Sequence, residues 1–282
     1  MRPQLNGGTL GRRAHSMNGE LAQLVALVAH TRAALGGAPF SLDLRNSTFK
    51  YVANLSFDAQ RRRLFRGVIA QSVAKTPREW YEHLAGTRCR SAVLVMAPPA
   101  GNLPSHIASA FAGAGHWGTV VGNEASHALW RADWTVGDRK TAIDNRIWQV
   151  RYKEFPFSGV ATGESILEAS DRLADVLRLA DDLARDGKLD FWRSWFQSAG
   201  SKLTEDTVTF EYHPDMLPPE GYSRAARQLL CAAERAWVFG GMGSWTDLGF
   251  DEQDLQERYD ALTPQLYEAV LRGIVAAVNQ GI

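Results

Sequence analysis

Ala128-Leu-Trp-Arg-Ala-Asp-Trp134 and Arg146-Ile-Trp-Gln-Val-Arg-Tyr152 alternate large apolar with polar residues. A period of two turns one face of each segment toward a core and the other toward water, so both read as strands. Val136-Gly-Asp-Arg-Lys140 between them reads as a turn. The pair is therefore expected to form a twisted antiparallel hairpin. Within it, Trp130 or Trp134 faces one side and Trp148 packs across.

Working outward toward the N-terminus, Ser91-Ala-Val-Leu-Val-Met-Ala97 is a continuous apolar run ended by Pro98-Pro99. It reads as a strand covered on both faces, with Val93 and Val95 both buried. Trp117-Gly-Thr-Val-Val-Gly122 reads as a second short buried strand, and Ser105 to Ala112 between them as a helix. Strand, helix, strand implies one βαβ-type unit. Thr76-Pro-Arg-Glu79 has the composition of a helix start, with a capping threonine and a first-turn proline. That helix carries Trp80, Tyr81 and Leu84 and stops at Gly86. Leu21, Leu24, Val25, Val28 and Leu35 share one face of a helix over 18–35, which Gly36-Gly37 ends. Residues 40–44 and 48–55 alternate like strands of a second hairpin. Ser56 can cap a helix over 57–75 carrying Leu64, Phe65, Val68, Ile69 and Val73. Arg61, Arg62, Arg63 and Arg66 on its outer face are either solvated or a grip for a phosphate or an acidic partner.

After Pro156 the period changes to that of helices. Amphipathic segments cover 164–186, 189–202, 222–238, 252–261 and 264–279, with a short strand at Val208-Thr-Phe210. The fold class is α+β: a mixed β-sheet with a βαβ-type unit in the N-terminal half, and a helical C-terminal half packed on it. Residues 1–16 are expected to be a flexible tail, 17–156 the sheet portion and 157–282 the helical portion, the last two sharing one core. Met1 and Met17 are both candidate starts.

Thirty-one basic residues balance thirty-one acidic ones, so no overall field draws the chain to nucleic acid or an anionic membrane. No apolar run reaches the roughly 18 residues of a membrane span. Arg12-Arg13 precedes an apolar stretch, but Glu20, His30 and Arg32 interrupt it, which excludes a signal peptide. Cys89 and Cys231 form no metal-type or redox-type pair, and a reducing cytoplasm is the simplest setting.

Trp237-Val-Phe-Gly-Gly-Met-Gly-Ser-Trp-Thr-Asp-Leu-Gly-Phe-Asp251 concentrates glycines and aromatics between two helices. It is not a phosphate loop, because a helix precedes Gly240 and no lysine follows Ser244. It is either a structural turn pinned by Trp245 and Phe250, or a ligand cleft. In the second case Ser244, Trp245 and Asp247 act with Glu234 and Arg235. Asn102, Ser105 and His106 follow the C-terminal end of the 91–97 strand, where α/β units bind ligands, and Ser105 equally serves as a helix cap. Glu124-Ala-Ser-His127 has a ligand-like spacing and is a weak metal candidate, with His116 as a further ligand, but only one such motif is present. No nucleophile elbow occurs, no cofactor is expected, and no motif resembles a known family.

Nine tryptophans point first to a core that uses large aromatics, and alternatively to an aromatic-lined cleft or partner surface. The leading expectation is a soluble cytoplasmic binding or assembly protein. The alternative is an enzyme on a small polar or anionic substrate in a cleft near 98–106 and 240–251. The partner is then another protein or a small polar ligand, with no nucleic acid and no membrane, and a homo-oligomer remains open.

Overall fold

The computed structural model describes residues 17–63, 67–96, 104, 107, 117–140, 142–159, 163–240 and 243–282. The expected tail at 1–16 and the expected helix over 105–112 lie outside them, apart from Ile107. The chain runs α1 (Gly19–Leu35), β1 (Val52–Arg63), β2 (Gly67–Ala74), α2 (Pro77–Gly86), β3 (Ser91–Met96), β4 (Trp117–Gly122), β5 (His127–Val136) and β6 (Trp148–Phe157). The helices α3 (Ile166–Asp186), α4 (Asp190–Ser201), α5 (Arg224–Arg235) and α6 (Gln253–Gln280) follow. It is an α+β fold, with a six-stranded mixed sheet before residue 157 and helices after it.

The sheet order is β2-β1-β6-β5-β4-β3. The expected β5–β6 hairpin is present, with Trp130 opposite Glu154 and Val136 opposite Trp148. Trp134 and Trp148 meet diagonally across it, rings 5.6 Å apart and edge-on. The expected βαβ-type unit is corrected. β3 and β4 are adjacent and antiparallel, Ser91 facing Gly122, and the parallel pair is β1 with β6. β3 to β6 is thus an antiparallel meander that starts at one sheet edge and returns to β1.

The edge position of β3 also corrects its burial. Ala92 and Leu94 are buried, whereas Val93 and Val95 are only half-buried. A strand with one neighbour and one covered face does not need apolar residues on both sides. The continuous apolar run exceeds what its burial requires.

The larger correction concerns 57–75. The described residues of this stretch form strands β1 and β2, paired antiparallel with Phe57 opposite Ala74 and Arg63 opposite Gly67, while residues 64–66 lie outside them. Phe65, Ile69 and Val73 recur every four residues, a spacing that fits a helix face and also one face of a strand. Tertiary partners decide. Leu55, Phe57 and Ala59 alternate inward on β1. Phe57 stacks on Trp80 of α2 at 5.1 Å and on Tyr152 of β6 at 4.9 Å. Ser56 is accordingly a strand residue opposite Arg151, not a cap. Residues 40–49 form a turn with a 3-10 segment at Ser47–Phe49 rather than a hairpin, and the strand begins at Val52. Val208–Phe210 is not a strand.

α1 is buried around its whole circumference, Glu20, Gln23, His30 and Thr31 included. Such a helix belongs between layers. It contacts β3 and β4 on one side and α6 on another. Its buried polar groups serve as ties. Gln23 Oε1 accepts from Tyr152 Oη at 2.8 Å, and Arg32 donates to the carbonyls of Ala92 and Asn279 at 3.0 and 2.6 Å. One hydrophobic core runs from Leu24 and Phe57 through Trp130 to Leu173, Trp245 and Ile274.

In the helical layer, Ser165 and Glu168 form a reciprocal capping box at the start of α3. The two helices expected over 252–261 and 264–279 are one helix, α6, with Pro264 inside it. Proline removes an N–H and crowds the preceding turn, which ordinarily breaks a helix. Here Asp260 and Pro264 are exposed, so water reaches the freed carbonyl, while Leu262, Leu266 and Val270 keep the apolar face continuous.

Candidate functional site

Seven tryptophans are buried: Trp80, Trp117, Trp130, Trp192, Trp195, Trp237 and Trp245. They belong to the hydrophobic core. Trp134 and Trp148 are half-buried, and both line one cleft of about 540 Å³. Its remaining wall comes from the start of α1, the 3-10 turn at 47–49, Lys50 and Tyr51 before β1, and Glu211, Tyr212 and His213. Tyr51 is 49% exposed, far more than a core tyrosine. The main chain holds these pieces together, since Tyr51 O accepts from the amides of Ile147 and Trp148 at 3.1 and 3.0 Å.

Polar order at the cleft wall centres on Ser47 and His213, which line it, and on Asp215, which does not. Ser47 Oγ lies 3.2 Å from His213 Nδ1 and hydrogen-bonds Asp215 Oδ1. The Ser47 amide also donates to the Asp215 carboxylate at 3.1 Å. Asn46 Nδ2 donates to Asp215 O at 2.6 Å, and His30 Nε2 lies 3.4 Å from the same oxygen. Asn46 also caps the turn through Thr48 N, so one side chain links the turn to the segment before α5. Burial lowers the His213 imidazole below its ordinary value, against the pull of the Asp215 charge. Burial likewise pushes His30 down to about 4.

Behind the wall sits Glu234 on α5, 2% exposed, with one carboxylate oxygen, Oε1, lacking a hydrogen-bond partner. Burial pushes its carboxyl up to about 7, the main-chain amides of Glu211, Tyr212 and His213 pulling the other way. Arg235 stacks its guanidinium 3.6 Å over the Trp195 ring and donates to Glu211 Oε2 at 3.1 Å. Glu234 and Arg235 therefore back the segment that forms one wall of the cleft.

The other candidates lie elsewhere. Asp247 Oδ2 accepts from the amides of Gly243 and Ser244 at 2.6 and 3.2 Å. Ser244 is buried, and Trp245 is buried against Trp192 and Phe196 and donates to Thr263 Oγ1 at 3.0 Å. None of the three lines the cleft of Trp134 and Trp148. Asn102, Ser105, His106 and His116 lie outside the described residues. Glu124 sits on the exposed β4–β5 turn and exposed His127 begins β5, so neither is on a helix, and no group of three or more metal-type side chains occurs among the described residues. Among these residues, no helix is long and apolar enough to cross a membrane.

His127 contributes to a second cleft of about 470 Å³ with His83, Cys89, Asn123, Trp130 and Glu154. Three of its polar groups serve the fold. Glu154 accepts from Gln60 N at 2.7 Å, Asn123 caps its own turn at Ala125 and Ser126, and Cys89 donates to Ser91 O. The first cleft differs in bringing two half-buried tryptophans together with Lys50, which has no carboxylate partner among the described residues.

Sequence reading did not find Ser47, His213 or Asp215 as a group. Ser47 and His213 are 166 positions apart, and neither lies in a periodic segment. Compared with known proteins, the chain matches no family model, no curated relative and no solved structure.

Proposed function

We propose that the chain is a binding protein for a small polar ligand, held in the cleft between Trp134, Trp148 and the 211–213 segment. The observation that carries this reading is the meeting of the only half-buried tryptophans with Tyr51, Lys50, Glu211 and His213 in one concavity. Small-molecule sites have this character: apolar, aromatic walls with a few converging polar groups. The ligand carries a ring or flat face for the tryptophans and polar groups for the rim. Two buried free thiols far apart in sequence support a reducing, cytoplasmic setting.

The second reading is an enzyme on the same ligand. The Ser47–His213–Asp215 chain favours it, because it is a hydrogen-bonded set of a hydroxyl, an imidazole and a carboxylate. In this set the carboxylate holds the serine rather than the histidine, which differs from the nucleophilic triad arrangement. Binding without chemistry is the simpler outcome.

The test is a thermal-shift screen of hydroxylated and aromatic ring compounds against the wild type and Trp148→Ala. The reading expects a class that raises the wild-type midpoint and leaves that of Trp148→Ala unmoved. Equal stabilisation of both proteins would place the ligand elsewhere.

A further inference from the structure

We propose that His213 presents a bare Nε2 lone pair to the cleft, fixed in that form by Asp215 acting through Ser47, and that the cleft thereby selects a sugar-like ring through its hydroxyl donors. The proposal rests on the cleft reading above and adds the ligand class and the residue that selects it.

Counting protons fixes the tautomer. A carboxylate only accepts hydrogen bonds. The single Ser47 hydroxyl proton therefore goes to Asp215, with which Ser47 Oγ makes its hydrogen bond. Ser47 Oγ then has only lone pairs left, so His213 Nδ1, 3.2 Å away, must be the donor. A neutral imidazole carries one proton, and placing it on Nδ1 leaves Nε2 as an acceptor. Burial keeps the ring neutral near pH 7. His213 lines the cleft, and no hydrogen bond to its Nε2 is made among the described residues.

The rim is thus rich in acceptors. His213 Nε2 and the Glu211 carboxylate accept, and Lys50 donates. The walls are Trp134, Trp148 and Tyr51. Aromatic faces are electronegative and attract the slightly positive C–H groups on one side of a saturated ring. Hydroxyl groups around such a ring supply the donors that the acceptors need. A sugar ring meets both demands, whereas a plain aromatic acid meets neither rim acceptor.

The experiment uses the full-length protein labelled with ¹⁵N at histidine. Long-range ¹H–¹⁵N correlation distinguishes the two tautomers, and His213→Gln identifies the His213 signals. The proposal expects Nδ1–H with bare Nε2 in the wild type. In Asp215→Ala, Ser47 is free to donate to Nδ1, and the proton moves to Nε2. A merely structural Asp215 would change the melting point without moving this signal. An Nε2–H tautomer in the wild type overturns the proposal and leaves the cleft reading standing.

The same samples are then tested with a panel of free pentoses and hexoses by saturation-transfer NMR. Transfer is expected with the wild type, with affinity about ten-fold weaker in an added His213→Ala variant, which loses the acceptor outright. Transfer that is absent for every sugar, with the tautomer as expected, overturns the sugar assignment. Transfer that survives equally in Trp148→Ala overturns the cleft itself.

Discussion

The side-chain amide of Asn279 pairs with the main chain of Leu94. Its Oδ1 accepts from Leu94 N and its Nδ2 donates to Leu94 O, both at 2.9 Å. Leu94 lies on β3, the outer strand of the sheet, and Asn279 lies in the last turn of α6. One asparagine thus does at the sheet edge what a neighbouring strand would do, satisfying a donor and an acceptor together. Asn279→Ala is expected to cost about 1–3 kcal/mol in urea unfolding, because Leu94 keeps two partly covered polar groups without partners. Hydrogen exchange at the Leu94 amide should quicken more than at its neighbours in β3.

The turn at 243–247 is closed by the Asp247 carboxylate. Gly243 has φ of +79°, and its amide reaches Asp247 Oδ2. Gly243→Val puts a β-branched side chain in the left-handed region and is expected to destabilise by about 1–3 kcal/mol. Asp247→Ala loses a cap worth about 0.5–2 kcal/mol and should leave ligand binding intact. Denaturant unfolding and a binding assay on the same two variants check both statements. Loss of binding at unchanged stability in Asp247→Ala would return the site to this turn.

Glu234 and His30 impose opposite pH dependences over nearly the same window. The Glu234 carboxyl is raised to about 7, so the folded state holds its proton more tightly than the unfolded chain. Its effect is to make stability fall as pH rises from about 4.5 to 7. His30 is lowered to about 4, so the folded state resists its protonation, and stability falls as pH drops from about 6.5 to 4. Each shift corresponds to roughly 3 kcal/mol, and the two oppose each other. The wild type is expected to be nearly flat between pH 4.5 and 6.5 so far as these two groups decide it. Glu234→Gln should become more stable near pH 8 and lose stability steeply on acidification. His30→Gln should gain stability over the same acid range. Urea midpoints at four pH values from 4.5 to 7.5 settle both signs.

The hairpin of Trp134 and Trp148 was legible because alternation and a turn coincide there, and no other element competes for those residues. α3 and α4 were legible because each is amphipathic, and α3 also has the Ser165 capping box at its start. The β1–β2 pair was not, because Phe65, Ile69 and Val73 satisfy two periods at once and only Trp80 and Tyr152 decide between them. Pro264 misled in the same way: a local rule predicts a break, but the long-range burial of Leu262 and Leu266 overrides it. Glu234 and Arg235 were read as partners of Ser244, Trp245 and Asp247 in a cleft at the 240–251 turn, whereas the structure sets them behind the wall of the Trp134–Trp148 cleft, which they do not line. Ser47, His213 and Asp215 carry no local pattern, since their meaning arises only when two loops meet.

The most direct test of the cleft uses fluorine NMR on protein labelled with 5-fluorotryptophan. Nine tryptophans give nine signals, assigned by single Trp→Phe changes. On adding a ligand found in the thermal-shift screen, the Trp134 and Trp148 signals should move and the Trp192, Trp195 and Trp245 signals should stay. Movement confined to Trp245 and its neighbours, with Trp134 and Trp148 still, would contradict the account.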